Sequence, residues 1–315
     1  MVARYIRCIP LLISMILIQG AYGTPALSGD HIRAPAAAGS FYPGSASQLR
    51  KTVSSLLDGV PEMEPEGEIL AATAPHAGYV YSGSIAAHTF RSLSGVDFDT
   101  MVIIGHDTYE RGVAFTCPAD YFRTPLGDVP VDREMIRKMH QFHGGIKENR
   151  SMHGRDHTVE VQLPFLQVLG KECKIVPILF GYPTVENCRI LSEAISFAGK
   201  GRKVFVLAST DMSHYPSYDS AGRVDRATLQ VLRSLDVERL FSHLTDPGAT
   251  GTVPNLQTAM CARGGVGTAM LYSLARGADH VRVLSYANSG DAPMGDRGRV
   301  VGYSAVLFVA GTAGR

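Results

Sequence analysis

The chain has 315 residues, of which 45% are hydrophobic, enough for a large domain with a substantial core. Its 30 Lys and Arg against 29 Asp and Glu, with no long run of one sign, exclude the electrostatic footprint of a nucleic-acid binder, and no nucleic-acid partner is expected. Neither a GxxxxGKS/T loop nor a GxGxxG after a strand is present, so nucleotide-dependent chemistry has no support.

In chain order, MVARYIRCIPLLISMILIQGAYG (residues 1–23) sets Arg4 and Arg7 ahead of the apolar run Ile9 to Ile18, then the small residues Ala21 and Gly23. This pattern predicts a secretory signal cleaved after Gly23, and hence export to the periplasm. The run falls short of the about 20 apolar residues of a spanning helix, and an uncleaved N-terminal anchor is the second reading. Residues 24–315 then form one domain that keeps Cys117, Cys173, Cys188 and Cys261, too few thiols for a disulfide framework.

After a polar lead-in from Thr24 to Ala37, the apolar positions Leu49, Val53, Leu56, Leu57 and Val60 predict an amphipathic helix over Ala46 to Val60. The acidic PEMEPEGE that follows reads as a loop. Strands are expected at Ile69 to Ala74, Met101 to Ile104, Ile175 to Phe180, Val204 to Ala208, Val281 to Tyr286 and Val300 to Val309. Helical patterns lie between them at Ser84 to Leu93, Arg133 to Phe142, Val159 to Leu169, Val185 to Ala198, Arg226 to Leu235 and Met260 to Ala275. The alternation predicts an α/β fold, a single layered domain with a central sheet flanked by helices.

In such sheets ligands sit beyond the carboxyl ends of the strands. The first strand is followed by Pro75-His76-Ala77-Gly78, the second by Gly105-His106-Asp107-Thr108, and the strand ending at Ala208 by STDMSHY, residues 209–215. Cys261 opens the Gly-rich CARGGVG, where a helix N-terminus is expected to lower its thiol pKa. Histidine, carboxylate and thiolate at one sheet edge suit a metal site, and equally a Cys-His-Asp nucleophilic arrangement. With 11 histidines in the chain, a hydrogen-bonded loop residue is the plainer reading of any one of them. His153 and His157 have the spacing of paired ligands on a helix, but HGRDH contains glycine and lacks the glutamate of HExxH.

Further pieces are AGSFYPGS (38–45), APHAGYVYSG (74–83), FRTPLGDVPVD (122–132), DHTVEVQLPFL (156–166), YANSGD (286–291) and RVVGYSAV (299–306). With STDMSHY and CARGGVG, in this order and spacing, the chain resembles the MEMO family, also called AmmeMemoRadiSam system protein B, from about Arg33 to Phe308. The resemblance implies a mixed-sheet architecture similar to the LigB-like class III extradiol dioxygenases. It also implies a crevice that binds metal through two histidines and a cysteine. Position by position, His76 is the first histidine, Cys261 is the cysteine, and His214, with Asp211 beside it, matches the dioxygenase acid/base. The second histidine departs from the family pattern. Ungapped alignment through Arg111-Gly112 puts Thr108 at that position and His106 two residues earlier. Two residues span roughly 6.5 Å of extended chain, far beyond the slack in a metal bond of about 2.0–2.1 Å. Either the loop is rebuilt so that His106 reaches in, or a ligand is lost.

The first functional expectation is a metal-dependent redox enzyme of dioxygenase type. His76, His106 and Cys261 would be its ligands, His214 its general acid/base and Asp211 the fixer of the His214 tautomer. A divalent metal is expected, iron or copper ahead of zinc, and none if the second histidine position is lost. Tyr79, Thr108 and Glu160 are expected on the ligand side of the crevice, Tyr79 as wall and Glu160 as a lining or capping residue. The second expectation is a non-catalytic binder of metal, small molecule or peptide in the same crevice. The third is a metal-free hydrolase with Cys261 as nucleophile, His214 as base and Asp211 as orienter. The family name points to partners from the AmmeMemoRadiSam system, and this chain has no CxxxCxxC cluster motif of its own.

Overall fold

A computed structural model describes residues 31–61, 67–246, 252–293 and 295–311. The signal peptide expected at residues 1–23 lies outside the described residues. Helix α1 (Ala46–Asp58) buries Leu49, Val53 and Leu57, the positions that its apolar period singles out. Strand β2 (Glu68–Ala74) has every residue from Ile69 onward buried, as expected of a strand covered on both faces. The chain then runs through α2 (Tyr79–Ser92), β3 (Thr100–Asp107), β4 (Ala114–Thr116), β5 (Tyr121–Thr124) and β6 (Gly127–Pro130). Next come α3 (Arg133–Phe142), β7 (Ile146–Glu148), α4 (Arg150–Arg155), a 3-10 turn at Glu160–Gln162 and α5 (Leu163–Val168). The second half carries β8 (Lys174–Phe180), α6 (Val185–Ala198), β9 (Val204–Ser209), α7 (Tyr218–Leu232), α8 (Val237–Thr245) and α9 (Arg263–Leu274). It closes with β10 (His280–Asn288) and β11 (Gly302–Ala310), after a short β1 (Ile32–Arg33) at the start of the described chain.

Among the described residues eight strands form one mixed sheet in the order β10-β11-β2-β9-β3-β8-β4-β7. Its centre, β2-β9-β3-β8, is parallel, whereas β11 joins β2, β10 joins β11 and β4 joins β8 antiparallel. Helix α9 packs along β2, β9 and β3 and against α6, while α2 packs along β2, β10 and β11 with α1 and α5 outside it. The expected α/β architecture, a central mixed sheet flanked by helices, is therefore the observed one. A second small sheet, β1-β5-β6, pins the start of the described chain.

Several boundaries differ from the sequence reading. The single helix expected at Val159 to Leu169 is a 3-10 turn followed by α5, with Pro164 in the first turn, where its missing N–H breaks no bond. Helix α7 starts at Tyr218, eight residues ahead of the expected Arg226, and α9 starts at Arg263 rather than Met260. The four cysteines of the described chain are free thiols. No helix of the described residues is long and apolar enough to cross a membrane.

Candidate functional site

The carboxyl ends of the neighbouring strands β2 and β9 set His76 and Ser209 side by side, because β2 and β9 run parallel with Ala74 in register with Ser209. His76 is 5% exposed, and its backbone N–H donates to Asp211 Oδ1 at 2.8 Å. Its ring touches Ser209 Oγ through Nδ1 at 3.1 Å and Cys261 Sγ through Nε2 at 3.3 Å. Burial pulls the His76 pKa down to about 4, which keeps the imidazole neutral at physiological pH.

Cys261 arrives from the segment just ahead of α9. The Asp211 amide donates to Sγ at 3.2 Å, and Thr210 Oγ1 lies 3.8 Å away. The lowered thiol pKa expected at this helix start is not what the environment produces. Burial, reinforced by the nearby Asp211 carboxylate, pushes the thiol up and outweighs these hydrogen bonds. Asp211 is 3% exposed and its carboxyl is raised to about 6, chiefly by burial. Its Oδ2 lies 3.8 Å from His76 Nε2.

His214 sits in the same turn, bridged to Thr258 and Val301, and burial lowers its pKa. Its Nε2 is buried without a hydrogen-bond partner, while Asp211 caps the His76 amide. The expected Asp211 to His214 orienting hydrogen bond is therefore absent from the described contacts, although the two still feel each other electrostatically. The turn is fixed from below by Asp225, which accepts the Ser213 N–H at 2.9 Å, the Ser213 hydroxyl at 3.0 Å and the Tyr286 hydroxyl at 2.7 Å.

His106 turns elsewhere. Its Nδ1 lies 3.3 Å from Asp156 Oδ1, and its side chain is 42% exposed. It lines a cavity of about 320 Å³ together with Asp107, Thr108, Asp156 and His157. Thr108 donates its hydroxyl to the Phe180 carbonyl at 2.9 Å. Asp107 accepts the Gly264 N–H at 3.1 Å at the start of α9, and burial raises its carboxyl to about 7. A larger cavity, about 640 Å³, lies at the opposite sheet edge around Ile69, Leu70, Val204 and Phe205. It is remote from this chemistry, so its size does not make it the site.

The donors can be tested against a metal. His76 Nε2 and Cys261 Sγ are one nitrogen and one sulfur 3.3 Å apart, whereas no described hydrogen bond or ring contact joins His106 to either. Among the described residues no three His, Cys, Asp or Glu side chains are grouped to hold an ion. A three-ligand iron site with His106 does not fit this arrangement. A soft two-donor site does, since sulfur and imidazole together favour copper in its monovalent state.

His157 is the site neighbour that sequence reasoning set aside. It is not on α4, which ends at Arg155, but in the following loop. There its ring stacks on Phe41 at 4.3 Å and meets the His76 ring edge-on at 5.6 Å. Its pKa falls to about 4 through burial and the proximity of His76. His153, its sequence partner, is buried with Nε2 2.9 Å from the Phe115 carbonyl oxygen.

Tyr79 and Glu160, expected as wall and as a lining or capping residue, are both held by tertiary hydrogen bonds. Tyr79 is 7% exposed and donates its hydroxyl to the Val161 carbonyl at 2.6 Å. Glu160 is fully buried and accepts from Arg33, the Tyr42 hydroxyl, and the Ala36 and Ala37 amides at 2.7 and 2.9 Å. Both carboxylate oxygens are thus engaged in clamping the 33–42 segment. Gln162 reaches inward and donates to the Pro75 carbonyl at 3.0 Å and Ser209 Oγ at 2.8 Å.

Residues 33–307 match the family model described as Memo-like protein. A MEMO1 family protein of Archaeoglobus fulgidus is 35% identical over 279 residues, covering 88% of this chain and 99% of the relative. One of Methanopyrus kandleri is 35% identical over 292 residues (89% and 99%), and one of Ignicoccus hospitalis 36% over 290 (88% and 98%). The order of motifs, the match along nearly the whole domain and these identities agree: the chain belongs to the Memo-like family.

Proposed function

We propose that this protein is a metal-binding member of its family, with a soft cation, copper foremost, held between His76 and Cys261 in the crevice at the strand ends. The observation that carries this reading is the 3.3 Å approach of a neutral imidazole nitrogen to a thiol sulfur at the carboxyl edge of a parallel sheet. The bound ion would supply Lewis acidity and one-electron chemistry. The chain's own contribution is to aim two donors, with Asp211 and His214 nearby as proton-holding groups. Binding is favoured over ring opening because, among the described residues, no third His, Cys, Asp or Glu is grouped with His76 and Cys261 as a donor. The hydrolase reading has less support: Cys261 contacts His76 rather than His214, and burial keeps both thiol and imidazole in their neutral, unactivated forms.

Elemental analysis of untagged protein after reconstitution with monovalent copper tests the proposal. Near-stoichiometric copper, abolished by His76→Ala and by Cys261→Ala, is expected. Copper retained by both variants would sink it.

A further inference from the structure

The Ser209 hydroxyl has three neighbours whose roles are fixed by their chemistry. It donates to the Thr158 carbonyl at 2.6 Å, since a carbonyl can only accept. The Gln162 amide must present Nε2 to the Pro75 carbonyl at 3.0 Å, which settles its orientation, and the same NH₂ donates to Ser209 Oγ at 2.8 Å. A serine hydroxyl has one hydrogen and two lone pairs. Its hydrogen goes to Thr158 and one lone pair to Gln162, so the contact with His76 Nδ1 at 3.1 Å leaves Ser209 one role, acceptor. The hydrogen of the neutral imidazole therefore sits on Nδ1, and Nε2 offers its lone pair toward Cys261 Sγ.

We infer that Ser209 is the positioning residue of this crevice: its hydroxyl, oriented by Gln162 and the Thr158 carbonyl, locks His76 in the Nδ1–H tautomer so that Nε2 is a ready electron-pair donor. All the members are buried. His76 is 5% exposed, Ser209 0%, Gln162 1% and Thr158 1%, so water does not compete for these bonds. The Ser209 backbone carbonyl also reaches the His76 ring and can only accept, so the hydroxyl acts together with it. Its ring is held from the side by the His157 edge contact, which has no say in the tautomer. The consequence for metal affinity rests on the proposed function, whereas the tautomer itself does not.

The test is long-range ¹H–¹⁵N spectroscopy of ¹⁵N-histidine-labelled, metal-free protein near pH 7.5, with His76 assigned by His76→Gln. The expected result is the Nδ1–H tautomer in the wild type, a shift toward Nε2–H in Ser209→Ala, and recovery in Ser209→Thr. Competition titration with monovalent copper should show affinity about 10- to 100-fold lower in Ser209→Ala and restored in Ser209→Thr. A wild-type His76 protonated on Nε2 would overturn the assignment, whatever the fate of the variants. An Nδ1–H tautomer that Ser209→Ala leaves intact would also overturn it. If the tautomer follows Ser209 but wild-type protein takes up no copper, the positioning role stands and the metal reading falls.

Discussion

Glu160→Gln removes a buried charge while keeping the side-chain shape. In the folded chain the Glu160 carboxylate is the counter-ion of Arg33, itself 6% exposed, and the acceptor of the Ala36 and Ala37 amides and the Tyr42 hydroxyl. A glutamine can accept with one oxygen only. Its NH₂ would face amide donors and an uncompensated guanidinium, and Arg33 would keep only the His153 and Asp156 carbonyls. Breaking a buried ion pair from one side costs about 3–5 kcal/mol, a large fraction of the about 5–15 kcal/mol that holds a domain folded. For a domain of this size that corresponds to a fall of about 5–8 °C in Tm. Urea and thermal unfolding followed by circular dichroism would measure it. Replacing the pair by apolar residues (Arg33→Met with Glu160→Leu) leaves no orphan charge and should lose less than Glu160→Gln alone. A Glu160→Gln loss below about 1 kcal/mol, or a double variant less stable than the single one, would refute the reasoning.

Gly264→Ala should destabilise the fold by about 1–3 kcal/mol and disturb the crevice, because the new Cβ would overlap the Phe180 ring where α9 crosses the sheet; chemical denaturation reads this. Asp225 has its carboxyl raised to about 6 by burial, above the roughly 3.9 of an unfolded chain. The folded state thus holds this proton more tightly, and the group weakens stability as pH climbs from about 4 through 6, by at most about 3 kcal/mol. Asp225→Asn should flatten the stability profile over that window even if the fold is weaker throughout, and an unchanged slope would count against the burial argument. His106→Ala should leave copper affinity within about twofold of wild type, since among the described residues it is not grouped with His76 and Cys261 as a donor. A loss as deep as that of Cys261→Ala would place His106 in the site.

The long central strands were legible because β2, β3, β8 and β9 are covered on both faces and read as unbroken apolar runs. The short strands β1, β4, β5, β6 and β7 were not. They run two to four residues, below the length at which a period of two can be told from chance. The approach of His76 to Cys261 was legible from the motifs, since His76 follows β2 at the sheet edge and Cys261 opens α9, which packs along β2, β9 and β3. His157 was hidden because its position comes from a loop held by Phe41 and the Glu160 clamp, contacts more than a hundred residues apart in the chain. The contacts of Glu160 and Tyr79 were hidden for the same reason. Their partners, Arg33 and the Val161 carbonyl, are tertiary, and no local pattern distinguishes a buried clamp from a pocket lining.

X-ray absorption at the copper edge of reconstituted protein bears most directly on the claim that His76 and Cys261 hold the ion without His106. The account predicts one sulfur and one imidazole nitrogen as the protein donors, with the spectrum unchanged in His106→Ala. A second imidazole that disappears in His106→Ala, or a shell without sulfur, would contradict it.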